Sequence, residues 1–313
     1  MIRKILVMGA GAVGGYFGGR IAENTEKQVF LVARGGHLKK IKENGLKILS
    51  PDGDAILKVP VSSDPADFPP PDLILFTVKS FDTDQAIRQI KPVVRNDTVI
   101  LTLQNGIENY EKLNTVFGDR ALQGLCQIGA GLEKPGVIRH DSLGLIVFGE
   151  QNGKESESTR KLAELFDQSG ISNRVSENIK KQVWLKFAWN TVYNSLTAVM
   201  NIPVDRLYSG IGAEKEIKKL LEEVKIAAKA EGVEIEEKDL DEIMNKSRNL
   251  EGFITSTLRD RRAGKPLEYD GLTGALLRSA KKHGLELPRF SLLHGMVQAI
   301  DQYSRSSEMR DKN

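Results

Sequence analysis

The sequence predicts two successive domains of different class. A doubly wound, mainly parallel α/β sheet spans residues 1–177, and an all-helical domain spans residues 178–313. Three observations carry this division. Short apolar runs alternate with helical patterns through the first half. A glycine-rich turn follows the first of those runs. Beyond residue 178 the pattern turns helical almost throughout, and Gly232, Gly264, Gly284, Pro203, Pro266 and Pro288 punctuate it as stop signals should.

The runs at 4–8, 28–33, 72–78 and 98–103 are nearly continuous in apolar residues, as strands buried on both faces of a parallel sheet are. Helical patterns at 13–23, 37–44 and 82–94 lie between them, and such βα alternation gives a doubly wound sheet. Residues 46–59 read as a hairpin folded at Pro51-Asp52-Gly53. A second β-rich stretch, 123–150, turns at Lys134-Pro135-Gly136 and completes the sheet. The second domain is read as helices at 179–200, 214–231, 237–262, 272–283 and 289–303, with a polar, frayed tail after Tyr303.

Composition narrows the function classes. With 40% hydrophobic and 28% charged residues the chain is an ordinary globular protein. A net charge of +3 makes no general case for nucleic acid and leaves room for a local basic pocket. One cysteine, Cys126, excludes an internal disulfide framework, and the four histidines have no metal spacing, so no metal is expected. The apolar run 5–8 is too short for a signal peptide and flows into glycines without a cleavage site. No run of about 20 apolar residues exists to span a membrane. A reducing, cytoplasmic setting is the expectation.

The glycine-rich turn reads Gly9-Ala10-Gly11-Ala12-Val13-Gly14 and matches G-x-G-x-x-G. Gly9 makes the tight turn, Gly11 admits a pyrophosphate close to the backbone, and Gly14 lets helix and strand pack closely. The helix that begins near Val13 offers its free N–H groups to the phosphates. The pattern alone is weak, but here it joins a strand to a helix at the start of a βαβ unit, as a Rossmann dinucleotide site requires. An acid about 20 residues further on holds an unphosphorylated ribose in such sites. This chain has Ala33-Arg34 there, and a guanidinium can grip a 2′-phosphate with two N–H groups. NADPH is therefore the expected cofactor, with a merely solvated Arg34 as the plainer reading.

Within 179–200 the run Val183-Trp184-Leu185-Lys186-Phe187-Ala188-Trp189-Asn190-Thr191-Val192-Tyr193-Asn194 is apolar nearly all round. Lys186, Asn190 and Asn194 recur every fourth residue and so stack on one face. A buried stripe of one ammonium and two amides needs partners, and a polar ligand supplies them. Lys79 and Asn105 each follow an apolar strand, where open α/β sheets bind ligands, although a structural loop role fits either as well. Glu268 lies near a helix start, where its charge would also suit the helix dipole.

Taken together these segments resemble the ketopantoate reductase (2-dehydropantoate 2-reductase) family over essentially the whole chain. The likeness rests on the glycine loop, Thr77-Val78-Lys79, Gln104-Asn105-Gly106, and Trp184-Leu185-Lys186 running on through Asn190-Thr191-Val192-Tyr193-Asn194 to Ala198. The resemblance implies an NADPH-binding Rossmann domain followed by a helical substrate and catalytic domain. By position Lys186 is similar to the family's general-acid lysine, and Asn190 and Asn194 to its substrate-binding asparagines. Asn105 is similar to a residue touching both nicotinamide and substrate. Ser256, in Thr255-Ser256-Thr257, matches a serine for the substrate carboxylate, and Glu268 an acid near the active centre and cofactor. Arg34 and Lys79 fall where the family grips phosphates, and Ala130 where backbone passes the cofactor.

Two departures stand out. Val204 follows Asn201-Ile202-Pro203, where some members carry another substrate asparagine. Gly271-Leu272-Thr273 differs from the family stretch after the acid. The implied reaction is reduction of a small 2-oxo acid to a 2-hydroxy acid, 2-dehydropantoate to pantoate in pantothenate biosynthesis. Lys186 would donate the proton, its pKa lowered by partial burial. The rival readings are a reductase of another 2-oxo or β-hydroxy acid and a non-catalytic NADP(H) sensor. No nucleic-acid or membrane partner is expected, and the sequence leaves a homodimer open.

Overall fold

The computed structural model describes the backbone of residues 1–310 and the side chains of residues 1–304. The chain divides into two compact units, one of residues 1–104 and 108–182, the other of residues 105–107 with 183 onward.

Ten strands build the first unit: β1 (Lys4–Met8), β2 (Gln28–Val32), β3 (Leu46–Leu49), β4 (Ala55–Leu57), β5 (Val61–Ser62), β6 (Leu73–Phe76), β7 (Val99–Thr102), β8 (Ala121–Lys134), β9 (Val137–Gly149) and β10 (Asn173–Val175). They form one sheet in the order β4-β3-β9-β8-β7-β6-β1-β2-β5, with β10 beside β9. The run from β8 to β5 is parallel throughout. The pairs β3/β4 and β8/β9 are antiparallel, as the two expected hairpins require. Strand order reverses at β1, with β2 on one side and β6 on the other, so the loops after these three strands meet at the topological switch point.

Alternation along the central strands explains their continuous apolar sequence. Ile5 and Val7 of β1 and Leu73 and Leu75 of β6 enter one core layer. Leu6, Met8, Ile74 and Phe76 enter the other. The first layer is closed by Tyr16, Phe17 and Ile21 of α1 (Ala12–Asn24) and by Leu162, Leu165 and Phe166 of a helix at Glu157–Gln168. Between these in sequence, α2 (Gly35–Asn44) follows β2. The second layer is closed by Ala86, Ile87 and Ile90 of α3 (Thr83–Ile90) and by Leu113 and Phe117 of α4 (Asn109–Phe117).

Helix α4 and the helix at Glu157–Gln168, α5, were not expected. α5 is capped by Ser156, whose hydroxyl accepts from the Thr159 N–H while Thr159 answers the Ser156 N–H. Threonine in place of the usual Glu or Gln at the third position hides that capping box in the sequence.

The second unit holds α6 (Ile179–Trp189), the π-helical turn Asn190–Asn194, α7 (Ser195–Met200), α8 (Ala213–Ala230), α9 (Glu237–Arg248), α10 (Ser256–Arg262), a second π turn Asp270–Gly274, α11 (Ala275–Lys282) and α12 (Pro288–Arg310). The first four residues of α6, Ile179 to Gln182, belong by contact to the first unit. Amphipathic α8 packs against α9, α11 and α12 through Ile217, Leu221, Val224 and Ala228. Buried Glu223 accepts from the N–H groups of Arg289 and Phe290, at 3.2 and 3.1 Å, and so caps α12.

Two expectations need correction here. The single helix read over 237–262 is two, because the chain breaks at Gly252, whose φ of +64° no helix accommodates, and restarts at the N-cap Thr255. Helix α12 continues past Tyr303 instead of fraying there, and the end of that tail, 311–313, lies outside the described residues. No helix of the described residues is long and apolar enough to cross a membrane.

A methyl group at Gly14 would stand 2.2 Å from Thr77 Oγ1 and 2.4 Å from the Gly9 carbonyl oxygen, whereas one at Gly11 would meet nothing within 4 Å. Gly14→Ala is therefore expected to cost about 1–3 kcal/mol, the usual range for overpacking. Gly11→Ala meets no such strain and should cost only the N-cap preference of Gly over Ala, about 0.5–1 kcal/mol. Urea denaturation of the two variants checks the contrast.

Candidate active site

In the second unit the helix from α6 through α7 is fixed by its aromatic residues. Trp184, Phe187 and Tyr193 are buried in the helical core. Trp189 stacks on Tyr193 at 5.4 Å and donates its indole N–H to Ser247 Oγ at 2.9 Å. Tyr208 gives its hydrogen to the Met244 carbonyl, so across the 2.6 Å contact between the two phenols Tyr193 is the donor. Burial drives the Tyr193 pKa far above that of a free tyrosine, which keeps it an O–H donor. With one side locked in this way, the rotation of the helix about its axis is set.

Asn190 and Asn194 both lie on the π turn, where one extra residue per turn shifts the side-chain direction away from the regular α-helical course. Lys186 stands one turn earlier. Its Nζ donates to Asn105 Oδ1 at 2.9 Å, and Asn190 Nδ2 donates to the same oxygen at 3.3 Å. An ammonium has no acceptor, so the Asn105 atom facing it must be oxygen. The Asn190 atom facing that oxygen must in turn be nitrogen. Asn105 begins a three-residue stretch, 105–107, that follows β7 by two residues and belongs by contact to the helical unit.

Asn194 is 1% exposed. Its Nδ2 lies 3.4 Å from Ser256 Oγ, and its Oδ1 is buried without a hydrogen-bond partner. Whichever way the amide is turned, one polar atom faces Ser256 and the other is unsatisfied, at a cost of about 1–3 kcal/mol. Thr191 Oγ1 on the same turn is likewise buried and unpartnered.

Ser256 opens α10, and the preceding Thr255 sets its position. Thr255 Oγ1 accepts from the Leu258 N–H at 3.2 Å and sits 2.8 Å from Thr197 Oγ1 of α7. Half-buried Glu268 precedes the second π turn, which packs against the first. The Leu267 N–H donates to buried Asp301 at 2.8 Å and fixes the chain just before the glutamate.

The residues expected to hold the nucleotide lie in the first unit. Gly9 has φ +100°, and Thr77 Oγ1 donates to its carbonyl at 2.9 Å. No side chain caps α1 and no acid stands in its first turn, so the turn formed by Ala12, Val13 and Gly14 presents its N–H groups to an anion. Together with the open space at Gly11 this fits a dinucleotide pyrophosphate. Arg34, 66% exposed on its side chain, pairs with Asp82, Nη2 to Oδ2 at 2.5 Å and Nη1 to Oδ1 at 3.4 Å. Lys79 is exposed where the chain leaves β6 for a short 3-10 turn. Ala130 lies beside a β-bulge of β8, opposite His140.

Asn105, Lys186 and Asn190 are thus joined by hydrogen bonds, as are Asn194 and Ser256. Thr77, His37, Asp82, Thr255 and Asp301 were not singled out from the sequence. Thr77, His37 and Asp301 act through backbone groups distant along the chain and Asp82 through a distant charge, while Thr77 and Thr255 lay inside segments already marked.

Residues 5–153 match the family model described as ketopantoate reductase PanE/ApbA, and residues 178–301 its C-terminal counterpart. A 2-dehydropantoate 2-reductase of Pyrococcus horikoshii is 31% identical, over 97% of this chain and 100% of its own. The crystal structure of a PanE/ApbA family ketopantoate reductase from Ralstonia eutropha superposes with a TM-score of 0.90 at 32% identity, covering 96% of this chain and 99% of that one. A D-mandelate dehydrogenase, solved with NADH and anilino(oxo)acetate, shares the fold, with a TM-score of 0.89 at 24% identity over 96% and 99% of the two chains.

Thr255 and Thr197 hold α10 on α7 through one buried contact. Thr255→Val should cost about 1–2 kcal/mol, the worth of an N-cap. A double-mutant cycle with Thr197→Val should return a coupling of at least about 0.5 kcal/mol, as touching residues do. Denaturation of the two single variants and the double variant measures it.

Proposed function

The chain belongs to the ketopantoate reductase family and is an oxidoreductase, and from that premise we propose that it reduces 2-dehydropantoate to pantoate with NADPH, the step that serves pantothenate biosynthesis. The observation that carries the reading is the shared Asn105 oxygen, which holds Lys186 and Asn190 side by side on a buried helix. The nicotinamide cofactor supplies the hydride when bound. Negative charge then grows on the ketone oxygen, and Lys186 hydrogen-bonds that oxygen and gives it a proton. Asn105 accepts one N–H of the ammonium and so aims the others.

The Ser256 hydroxyl donates to the substrate carboxylate. The unpartnered amide oxygen of Asn194 accepts from the primary hydroxyl that 2-dehydropantoate carries, which removes the cost of burying it. Glu268 orients that hydroxyl or the lysine. Gly9, Ala10, Gly11, Ala12, Val13 and Gly14 cradle the pyrophosphate, and Arg34 takes the 2′-phosphate with Lys79 beside the phosphates. Ala130 passes the cofactor along its backbone.

A second reading, a 2-oxo acid with an apolar side chain, is favoured by one observation: Val204 is fully buried in the helical core. NADPH oxidation against a panel of hydroxylated and purely apolar 2-oxo acids separates the two. Preference for the hydroxylated acids supports the first, and preference for the apolar acids the second.

If Lys186 is the proton donor, Lys186→Ala loses about 10²–10⁴-fold in kcat, the usual worth of general acid catalysis. A lysine that only anchors the carboxylate would raise KM alone. The donor must be protonated, so wild-type kcat/KM falls toward alkaline pH and the variant lacks that limb. Steady-state kinetics across pH decides the matter. For the cofactor, Arg34→Asp should weaken NADPH about ten- to a hundredfold, the loss of a charged hydrogen bond, and leave NADH nearly unchanged. Equal changes in Kd by titration would remove Arg34 from the 2′-phosphate site.

A further inference from the structure

The glycine loop has a freedom that its own sequence cannot restrain. Gly9 and Gly11 carry no side chains, so the peptide between Ala10 and Gly11 could rotate at little steric cost. Three hydrogen bonds stop it, one on the preceding peptide and two on this one. The Ala10 N–H donates to the Val32 carbonyl at 2.8 Å, and the Gly11 N–H donates to the Gly9 carbonyl at 2.8 Å. The third comes from a side chain: His37 Nε2 meets the Ala10 carbonyl oxygen at 2.7 Å.

The other ring nitrogen fixes the chemistry of that contact. The Gly136 N–H donates to His37 Nδ1 at 2.9 Å, so Nδ1 carries no hydrogen. Nε2 therefore carries it and donates to Ala10. Gly136 is itself held at the β8–β9 turn, where its carbonyl accepts from the Lys47 N–H at 2.9 Å. The ring thus spans from a hairpin turn to the loop, and each nitrogen has one backbone partner. Half-buried in this place, the imidazole is held below the ordinary histidine pKa by desolvation, against the opposing pull of the Ala10 carbonyl. The neutral form that the two bonds require is therefore the favoured one.

We propose that His37 is the positioning residue of the dinucleotide loop: clamped in one tautomer between Gly136 and Ala10, it fixes the Ala10–Gly11 peptide in the orientation that receives the cofactor pyrophosphate. The inference rests on the reading of this loop as the pyrophosphate cradle. Its ligand specificity follows from the geometry. A ligand that uses the loop depends on His37, and one that lacks the pyrophosphate does not.

Calorimetric titration of the full chain with ADP-ribose and 2′-phospho-ADP-ribose tests this, with adenosine 2′-phosphate as the pyrophosphate-free control. His37→Ala should weaken the pyrophosphate ligands about tenfold, in line with one lost restraint on the bound geometry, and leave the control within about twofold. His37→Gln, which can accept at Oε1 and donate from Nε2, should restore most of the loss. Equal weakening of all three ligands, or no rescue by Gln, would overturn the proposal. So would unchanged affinity in both variants.

Should the alanine variant fold poorly, the wild-type protein still gives an answer. Nitrogen-15 NMR of the imidazole should show the neutral Nε2–H tautomer at neutral pH, and an Nδ1–H tautomer or a charged ring would end the idea. Failure of the wild-type protein to bind any pyrophosphate ligand would instead refute the cradle reading beneath it.

Discussion

An ammonium group can only donate hydrogen bonds, and that one-sidedness orders the centre of the helical unit. Lys186 fixes the oxygen of Asn105 toward itself, and the same oxygen then fixes the amide of Asn190. Such a chain of forced orientations works only if the helix beneath it cannot rotate. Stacked Trp189 and Tyr193, and the phenol relay from Tyr193 through Tyr208 to Met244, remove that freedom. Aromatic packing and polar geometry are in this sense one device, because an error in the first would misdirect every donor in the second.

What could be read from the sequence was whatever depends on local sterics or on repetition. The glycine loop was legible because its glycines keep the fixed spacing of a strand–turn–helix junction, where Gly14 packs against Gly9 and Val7 of the same unit. The apolar strands were legible because two-sided burial leaves no polar alternation. The stripe of Lys186, Asn190 and Asn194 was legible by its spacing, though nothing in the sequence announced the π turn that carries the two asparagines. The break at Gly252 was marked in the sequence by Gly252 itself and by Thr255, an N-cap type, but the long helical pattern around them reads through it. His37 was beyond reach for another reason. Its partners are backbone groups 27 and 99 residues away, and a backbone group has no letter in the sequence.

The two π turns also bear on energetics. Thr191 Oγ1 and Asn194 Oδ1 are buried and unsatisfied on the first of them. A regular helix lets threonine return its hydroxyl to a carbonyl of the preceding turn, as Thr197 does with Tyr193. The π turn gives up that economy around the proposed substrate contacts. Unsatisfied groups of this kind cluster where a ligand completes them, and the stability withheld from the empty protein becomes available to binding.

Residues 105–107 carry a last implication, for the modularity of the chain. They follow β7 in sequence and yet belong by contact to the helical unit, so the polypeptide passes between the units at 104/105, 107/108 and 182/183. A helical fragment beginning at Val183 would hold Lys186 and Asn190 without Asn105, leaving two donors and no common acceptor. Recombination between relatives at the obvious seam near residue 180 would likewise pair a lysine from one parent with an asparagine from the other. The seam in the gene is not the seam in the proposed catalytic group, and the three-residue excursion ties the inheritance of the first unit to that of the second.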